Sequence, residues 1–170
     1  PPAAAGAATS ATLPASQEDA KAFLEKSPRH GEFADVKLPG GGTPIRTWVV
    51  YPERKDKAPV VIVIHDIRGM ADPPRAVGDQ LAQDGFIAIV PDFLSGKGPD
   101  GGGTASLGTG VGQAIQALTP ADVKGRLDAA MEYGKKLPAS NGKTGVVGFC
   151  WGGARSFGYA AAQPNLNAAV

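Results

Sequence analysis

One cysteine and two histidines are all that 170 residues hold of the side chains that most often bind metals or act as soft nucleophiles. With one cysteine no intrachain disulfide can form, and neither a structural zinc site nor a Cys-x-x-Cys redox pair can be built from cysteine. If Cys150 matters, it matters alone. Both histidines, His30 and His65, lie in the first half, and no Asp or Glu follows Glu132. Long apolar runs are also missing: Ala58 to Ile64 is the longest, far below the ~20 residues of a membrane span. A soluble domain with no membrane partner is therefore expected. Nor does charge of one sign dominate. There are 17 Lys and Arg against 16 Asp and Glu, and no block of like charge could track a phosphate backbone, which argues against nucleic acid as a partner.

What is present suits one domain with a sizeable core, since 42% of the residues are hydrophobic. Residues 1–16 are almost all Ala, Pro, Ser, Thr and Gly, a composition that cannot bury enough apolar surface to offset ordering, and are read as a disordered leader. Residues 17–30 read as an N-terminal helix and linker, and residues 31–170 as part of one α/β domain. The leader begins without methionine, so it is either the remnant of a cleaved secretory signal or a boundary in the sequence. An exported, periplasmic-type location is preferred over the cytoplasm, although no basic n-region or apolar h-region is visible. No feature of the sequence specifies an oligomeric state.

Ser16 to Lys26 reads as a short capped helix ended near Pro28. Glu32 to Leu38 and Pro44 to Tyr51 read as two strands of a hairpin joined by Pro39-Gly40-Gly41-Gly42. Val60-Val61-Ile62-Val63-Ile64 is a continuous apolar run of the kind buried on both faces of a parallel sheet, and Phe86 to Val90 is another. Between them Pro73 to Gln83 predicts a helix with Asp72 as its cap. Glycine dominates Phe93 to Leu118, which reads as a long loop with one helical turn near Val111 to Leu118. Thr119-Pro120-Ala121-Asp122 then opens a helix, with Thr119 at the N-cap, Pro120 at N1, Asp122 at N3 and Val123, Leu127, Ala130, Met131 and Gly134 on one face. Val146 to Phe149 is a strand, a helix follows Cys150, and Asn167 to Val170 starts another strand. Strands alternating with helices predict a mostly parallel α/β sheet that places ligands at the carboxyl ends of its strands.

Two turns fall at those ends. Gly148-Phe149-Cys150-Trp151-Gly152-Gly153 links a strand to a helix with glycine two residues before and two after the cysteine, the layout of a nucleophile elbow. The bland alternative, a small buried cysteine at a tight turn, does not require both glycines. A thiolate that attacks an ester or lactone carbonyl creates an oxyanion, which needs two fixed donors. The elbow supplies the backbone N–H of Trp151 at a helix N-terminus, and Ile67 in the turn His65-Asp66-Ile67-Arg68-Gly69 is placed in chain order to supply the second.

Three stretches together resemble the dienelactone hydrolase family of α/β-hydrolases: Val61 to Gly69, Ala82 to Asp92, and Gly145 to Gly153. They anchor residues from about Val36 to Val170. The resemblance implies the α/β-hydrolase fold, a mostly parallel sheet flanked by helices. It also implies a Cys-His-Asp triad with Cys150 as nucleophile, no metal or cofactor, and hydrolysis of a small-molecule ester or lactone through a thioester. In the family a glutamate follows the position of His65 and interacts with the resting thiol. Here Asp66, one methylene shorter, is the implied thiol-modulating group. Arg68 replaces a residue that is usually apolar or aromatic, and Lys97 lies where relatives carry a substrate-binding cation, so both are candidate substrate-binding residues.

The base is missing. In α/β-hydrolases the acid and then the histidine follow the nucleophile, and nothing after Cys150 can serve. His65 is read as a structural residue of its turn. The chain is expected to be the N-terminal portion of a hydrolase, with the C-terminal strands, the triad Asp and the triad His beyond residue 170. Two other readings compete. One is a non-catalytic α/β-hydrolase-like fragment or pseudoenzyme kept for binding or assembly, which the missing triad members favour and the elbow cysteine disfavours. The other is a dinucleotide-binding domain, disfavoured because no G-x-G-x-x-G opens a helix after a first strand.

Overall fold

The structure, a computed structural model, describes residues 14–170, so the expected leader lies outside the described residues as far as residue 13. A six-stranded mixed sheet runs in the order β1-β2-β4-β3-β5-β6, where β1 is Gly31–Val36, β2 Ile45–Val50, β3 Ala58–Ile64, β4 Ile87–Pro91, β5 Ser140–Gly148 and β6 Ala168–Ala169. The first two strands form the expected antiparallel hairpin, and β2 also pairs antiparallel with β4. The remaining pairs are parallel, with β3 between β4 and β5. The α/β-hydrolase architecture read from the sequence is the architecture observed.

Alternation along the central strands explains how helices cover both faces. Val60, Ile62, Ile64, Ile87 and Ile89 are fully buried in the large core cluster with Val123, Leu127 and Met131 of α5 (Pro120–Lys136) and Tyr159 of α6 (Trp151–Ala162). Their neighbour Ala88 points the other way and packs with Val50 against Ala82 of α2 (Asp72–Gln83). Successive residues thus feed two apolar clusters on opposite faces of the sheet, as the period of two demands. Tyr159 ties α6 to α5 by donating its hydroxyl to Asp128 at 2.9 Å. Helix α1 (Ala20–Lys26) lies against α2, where Arg29 Nε donates to Asp79 at 2.9 Å and Ser27 to the same carboxylate at 2.5 Å.

Three expectations are corrected. Helix α1 begins at Ala20 rather than Ser16, and its N-cap Asp19 makes no side-chain cap bond. Asp72 is the first residue of α2, not its cap; the N-cap is Ala71, without a side-chain cap bond, and Asp72 instead accepts from Arg75 at 3.2 Å. More substantially, residues 93–118 are not a long loop. They hold a 3₁₀ turn at Pro99–Gly101, α3 (Thr104–Leu107), a second 3₁₀ turn at Gly108–Gly110 and α4 (Val111–Gln116). Glycine lowers intrinsic helicity, but Phe93, Leu94 and Ile115 are wholly buried in the main core, and that packing overrides local propensity. Among the described residues no helix is long and apolar enough to cross a membrane.

The start of α5 is the capping box expected: Thr119 Oγ1 accepts from the Asp122 N–H at 3.1 Å, and Asp122 accepts from the Thr119 N–H at 3.1 Å. Thr119→Ala should therefore lower the unfolding free energy by about 1 kcal/mol, read as a lower midpoint in urea with an unchanged slope.

Candidate active site

Strand β5 ends at Gly148, and two residues later Cys150 sits at φ 55, ψ −114 as the N-cap of α6. A side-chain-bearing residue in that region costs roughly 1–3 kcal/mol and persists only where its surroundings over-determine it. They do so here through two glycines. A Cβ on Gly148 would overlap the Gly152 carbonyl and stand 2.8 Å from the Gly153 nitrogen, and one on Gly152 would overlap the Ile64 carbonyl and stand 2.7 Å from the His65 oxygen. The first contact closes the turn on itself, and the second presses it against the end of β3. The thiol is free and exposed. The Gly152 N–H binds the Phe149 carbonyl at 2.9 Å and the Gly153 N–H that of Cys150 at 3.1 Å. Among the described residues no hydrogen bond takes up the N–H of Trp151, as its place at the first helical position leads one to expect.

The neighbouring turn after β3 is built as tightly. The Asp66 carbonyl accepts from Gly69 N–H at 3.1 Å and from His65 Nδ1 at 2.9 Å, while among the described residues the Ile67 N–H has no hydrogen-bond partner. Gly69, at φ 79, has Thr104 lying where a side chain would go. Thr104 Oγ1 accepts from the Met70 N–H at 3.1 Å and donates to Asp92 Oδ1 at 2.7 Å, and Asp92 Oδ2 accepts from the Thr104 N–H at 2.8 Å. The segment after β4 thereby clamps the turn after β3. Thr104 and Asp92 carried no motif, although a carboxylate just past a parallel strand's carboxyl end is a position that the crevice rule singles out.

His65 is buried and joins three strand ends. Its Nε2 accepts from the Phe93 N–H at 3.2 Å, so Nδ1 carries the proton and both nitrogens are engaged. Its ring stacks on Trp151 at 5.9 Å and meets Phe93 edge-on at 5.3 Å. Burial pushes its pKa below the ordinary imidazole value, against the opposing pull of the Asp66 carbonyl and the charges of Asp92 and Asp66. That is the structural role read from the sequence, with no lone pair left over for a thiol proton.

Ile67, Arg68, Cys150 and Trp151 are brought to one edge of the sheet, on adjacent parallel strands paired through Ile64 and Gly148. Asp66 is there too, but its carboxylate turns to Arg68: Oδ1 accepts from the Arg68 N–H at 2.8 Å and Oδ2 from Nε at 2.9 Å, with Nη2 closing an ion pair. Among the described residues no hydrogen bond joins Asp66 to the Cys150 sulfur. Burial alone would raise the Asp66 carboxyl, yet the Arg68 hydrogen bonds and charge hold it below its usual range. Lys97 is not brought to this group; its ammonium pairs with Asp122 of α5 at 3.6 Å. Among the described residues no cluster of three or more His, Cys, Asp or Glu is arranged to hold a metal ion.

A model of the dienelactone hydrolase family matches residues 45–170. Carboxymethylenebutenolidase 1 of Cupriavidus pinatubonensis is 33% identical over 109 residues, 62% of this chain and 47% of that protein. Protein usf of Aquifex pyrophilus is 34% identical over 137 residues, 77% of this chain and 56% of its own. The chain spans about half the length of the curated relatives it matches. A solved Klebsiella pneumoniae chain assigned as a dienelactone hydrolase superposes with a TM-score of 0.70 at 24% identity, covering 82% of this chain and 58% of that one.

The depressed pKa of His65 has a measurable consequence. The unfolded chain takes up a proton near 6.5 while the folded one resists it, so stability contributed by neutral His65 is complete above that value and is lost as pH falls below it. Urea melts between about pH 7.5 and about pH 5 should show the unfolding free energy falling by up to about 1.4 kcal/mol per pH unit. His65→Gln should be less stable at neutral pH and lack that part of the slope. An equal slope in the variant would assign the titration to another group.

Proposed function

The chain belongs to the dienelactone hydrolase family, and from that premise we propose that its protein hydrolyses carboxylic esters or lactones with Cys150 as nucleophile. The observation that carries the proposal is the backbone of Cys150. An exposed thiol at φ 55 on a helix N-cap, flanked by two glycines that steric contact makes obligatory, is an arrangement that a merely structural cysteine does not need.

In this reading the Cys150 thiolate adds to the carbonyl carbon of the substrate, forming a C–S bond and a tetrahedral oxyanion. The N–H groups of Ile67 and Trp151, without a partner among the described residues, receive the oxyanion, as donors fixed before reaction and worth most where charge develops. Collapse expels the alkoxide, which leaves as the alcohol after protonation, or stays tethered when the substrate is a lactone. Water then cleaves the thioester, releasing the acid and restoring the thiol. The acid and histidine of the triad belong, in this proposal, to sequence outside residues 1–170, in keeping with a match that covers about half of each relative. The butenolide in the relatives' name is a lactone, which supports that substrate class.

Cys150→Ala in the full protein should reduce turnover of small aryl esters by at least about a thousandfold, with thermal melting unchanged because the side chain is exposed. Retained turnover in a folded Cys150→Ala protein would remove Cys150 from the chemistry.

A further inference from the structure

We propose that His65 is a positioning residue for the oxyanion: its imidazole fixes the peptide group that carries the Ile67 N–H and braces Trp151, which carries the other donor. This rests on those two N–H groups being the oxyanion donors and adds what holds them before reaction. The link is the planarity of the peptide bond. The Asp66 carbonyl and the Ile67 N–H belong to one rigid trans unit and point in opposite directions, so whatever directs the carbonyl aims the N–H. Two donors direct it, His65 Nδ1 at 2.9 Å and the Gly69 N–H at 3.1 Å.

Both donors are themselves held, and by the same segment. His65 is buried, and its Nε2 accepts from the Phe93 N–H at 3.2 Å, which leaves the proton on Nδ1 and sets the plane of the ring. On the other side, Thr104 stands where a side chain of Gly69 would go, and its Oγ1 accepts from the Met70 N–H at 3.1 Å. Asp92 fixes Thr104 in turn, through bonds of 2.7 Å to the hydroxyl and 2.8 Å to the N–H. Asp92, Phe93 and Thr104 all follow β4, so the end of that strand grips the Asp66 carbonyl from two directions. The His65 ring also stacks on Trp151 at 5.9 Å, with 16° between the planes, at the first residue of α6. One side chain therefore touches both segments that carry a donor. Donation to the Asp66 carbonyl further polarises its peptide, which strengthens the N–H on the opposite side.

Two amide variants separate positioning from packing, because both take the ring away from Trp151 and each mimics one nitrogen. His65→Asn can set its amide nitrogen where Nδ1 stands, whereas His65→Gln reaches the place of Nε2 and is nearer to histidine in volume. In the full protein, per folded molecule and with a small aryl ester, His65→Gln should lower kcat by about ten- to thirtyfold with KM within about twofold, since outright removal of an oxyanion donor costs about 10²–10³ in kcat. His65→Asn should recover most of that loss. Alkylation of Cys150 by iodoacetamide should be unchanged in both, because the sulfur displaces iodide and no oxyanion forms. Equal kcat in the two variants, or a higher kcat in His65→Gln, would overturn the proposal, as would alkylation that falls in step with turnover. If neither variant folds, Thr104→Ala and Thr104→Ser, which differ only in the hydroxyl, decide the matter: lower kcat in Thr104→Ala supports the grip, and equal kcat overturns it. The donors are checked separately on the unsubstituted protein with an aryl trifluoromethyl ketone. The Cys150 sulfur adds to its carbonyl carbon, the carbonyl oxygen becomes an oxyanion, and the Ile67 and Trp151 amide proton resonances should move downfield. Unmoved resonances reject the donors and the proposal with them, whereas moved resonances with equal variants reject the role of His65 alone.

Discussion

The site depends on one backbone-to-backbone approach, between the first turn of α6 and the end of β3. Gly152 lies against the carbonyl oxygens of Ile64 and His65 with no room for a Cβ. Because Gly148 is equally crowded by Gly152, the chain between them has almost no freedom, and Cys150 is driven into a conformation that an L-residue adopts only under constraint. A side chain at either glycine is incompatible with these approaches, which flank Cys150 on both sides. The strain at Cys150 is thus maintained by packing between a helix and a strand that are far apart in sequence.

Side chains extend the same contact outward. The stack of His65 on Trp151 and the edge of Phe93 against both rings join the ends of β3, β4 and β5, and burial keeps the imidazole neutral enough to serve as a packed, hydrogen-bonded ring. Asp92 and Thr104 do with polar atoms what the rings do with surface. Every Asp92 oxygen has a donor, and the hydroxyl of Thr104 passes the constraint on to Met70 and the Gly69 turn. Buried polar groups cost free energy unless paired, so a fully paired carboxylate at a strand end locks three segments into one arrangement.

How much of this was legible in the sequence follows from the range of the interactions. The central strands show as apolar runs, the α5 start as a capping box, and the elbow as glycines at fixed offsets from Cys150, because each is determined by residues a few positions apart. Residues 93–118 were misread for the opposite reason. Their glycines are a local signal, while the burial of Leu94 and Ile115 in the main core is a tertiary one, and the tertiary term is larger. The Asp72 cap failed on geometry: a carboxylate one residue inside the helix serves Arg75 instead. The Arg29–Asp79 pair, fifty residues apart in sequence, had no local signature at all.

Asp66 and Arg68 show the limit most sharply. Both charges were visible, two residues apart, yet their meaning turned on a direction that composition does not encode. The turn after β3 aims the Arg68 N–H and side chain at one carboxylate, which a helix would not do, since it does not turn residues two apart toward each other. Paired in this way, Asp66 presents its carboxylate to Arg68. The turn therefore joins a carboxylate and a guanidinium two residues apart into one pair, and only the backbone geometry of the His65 to Gly69 turn tells such a pair from two separate surface charges.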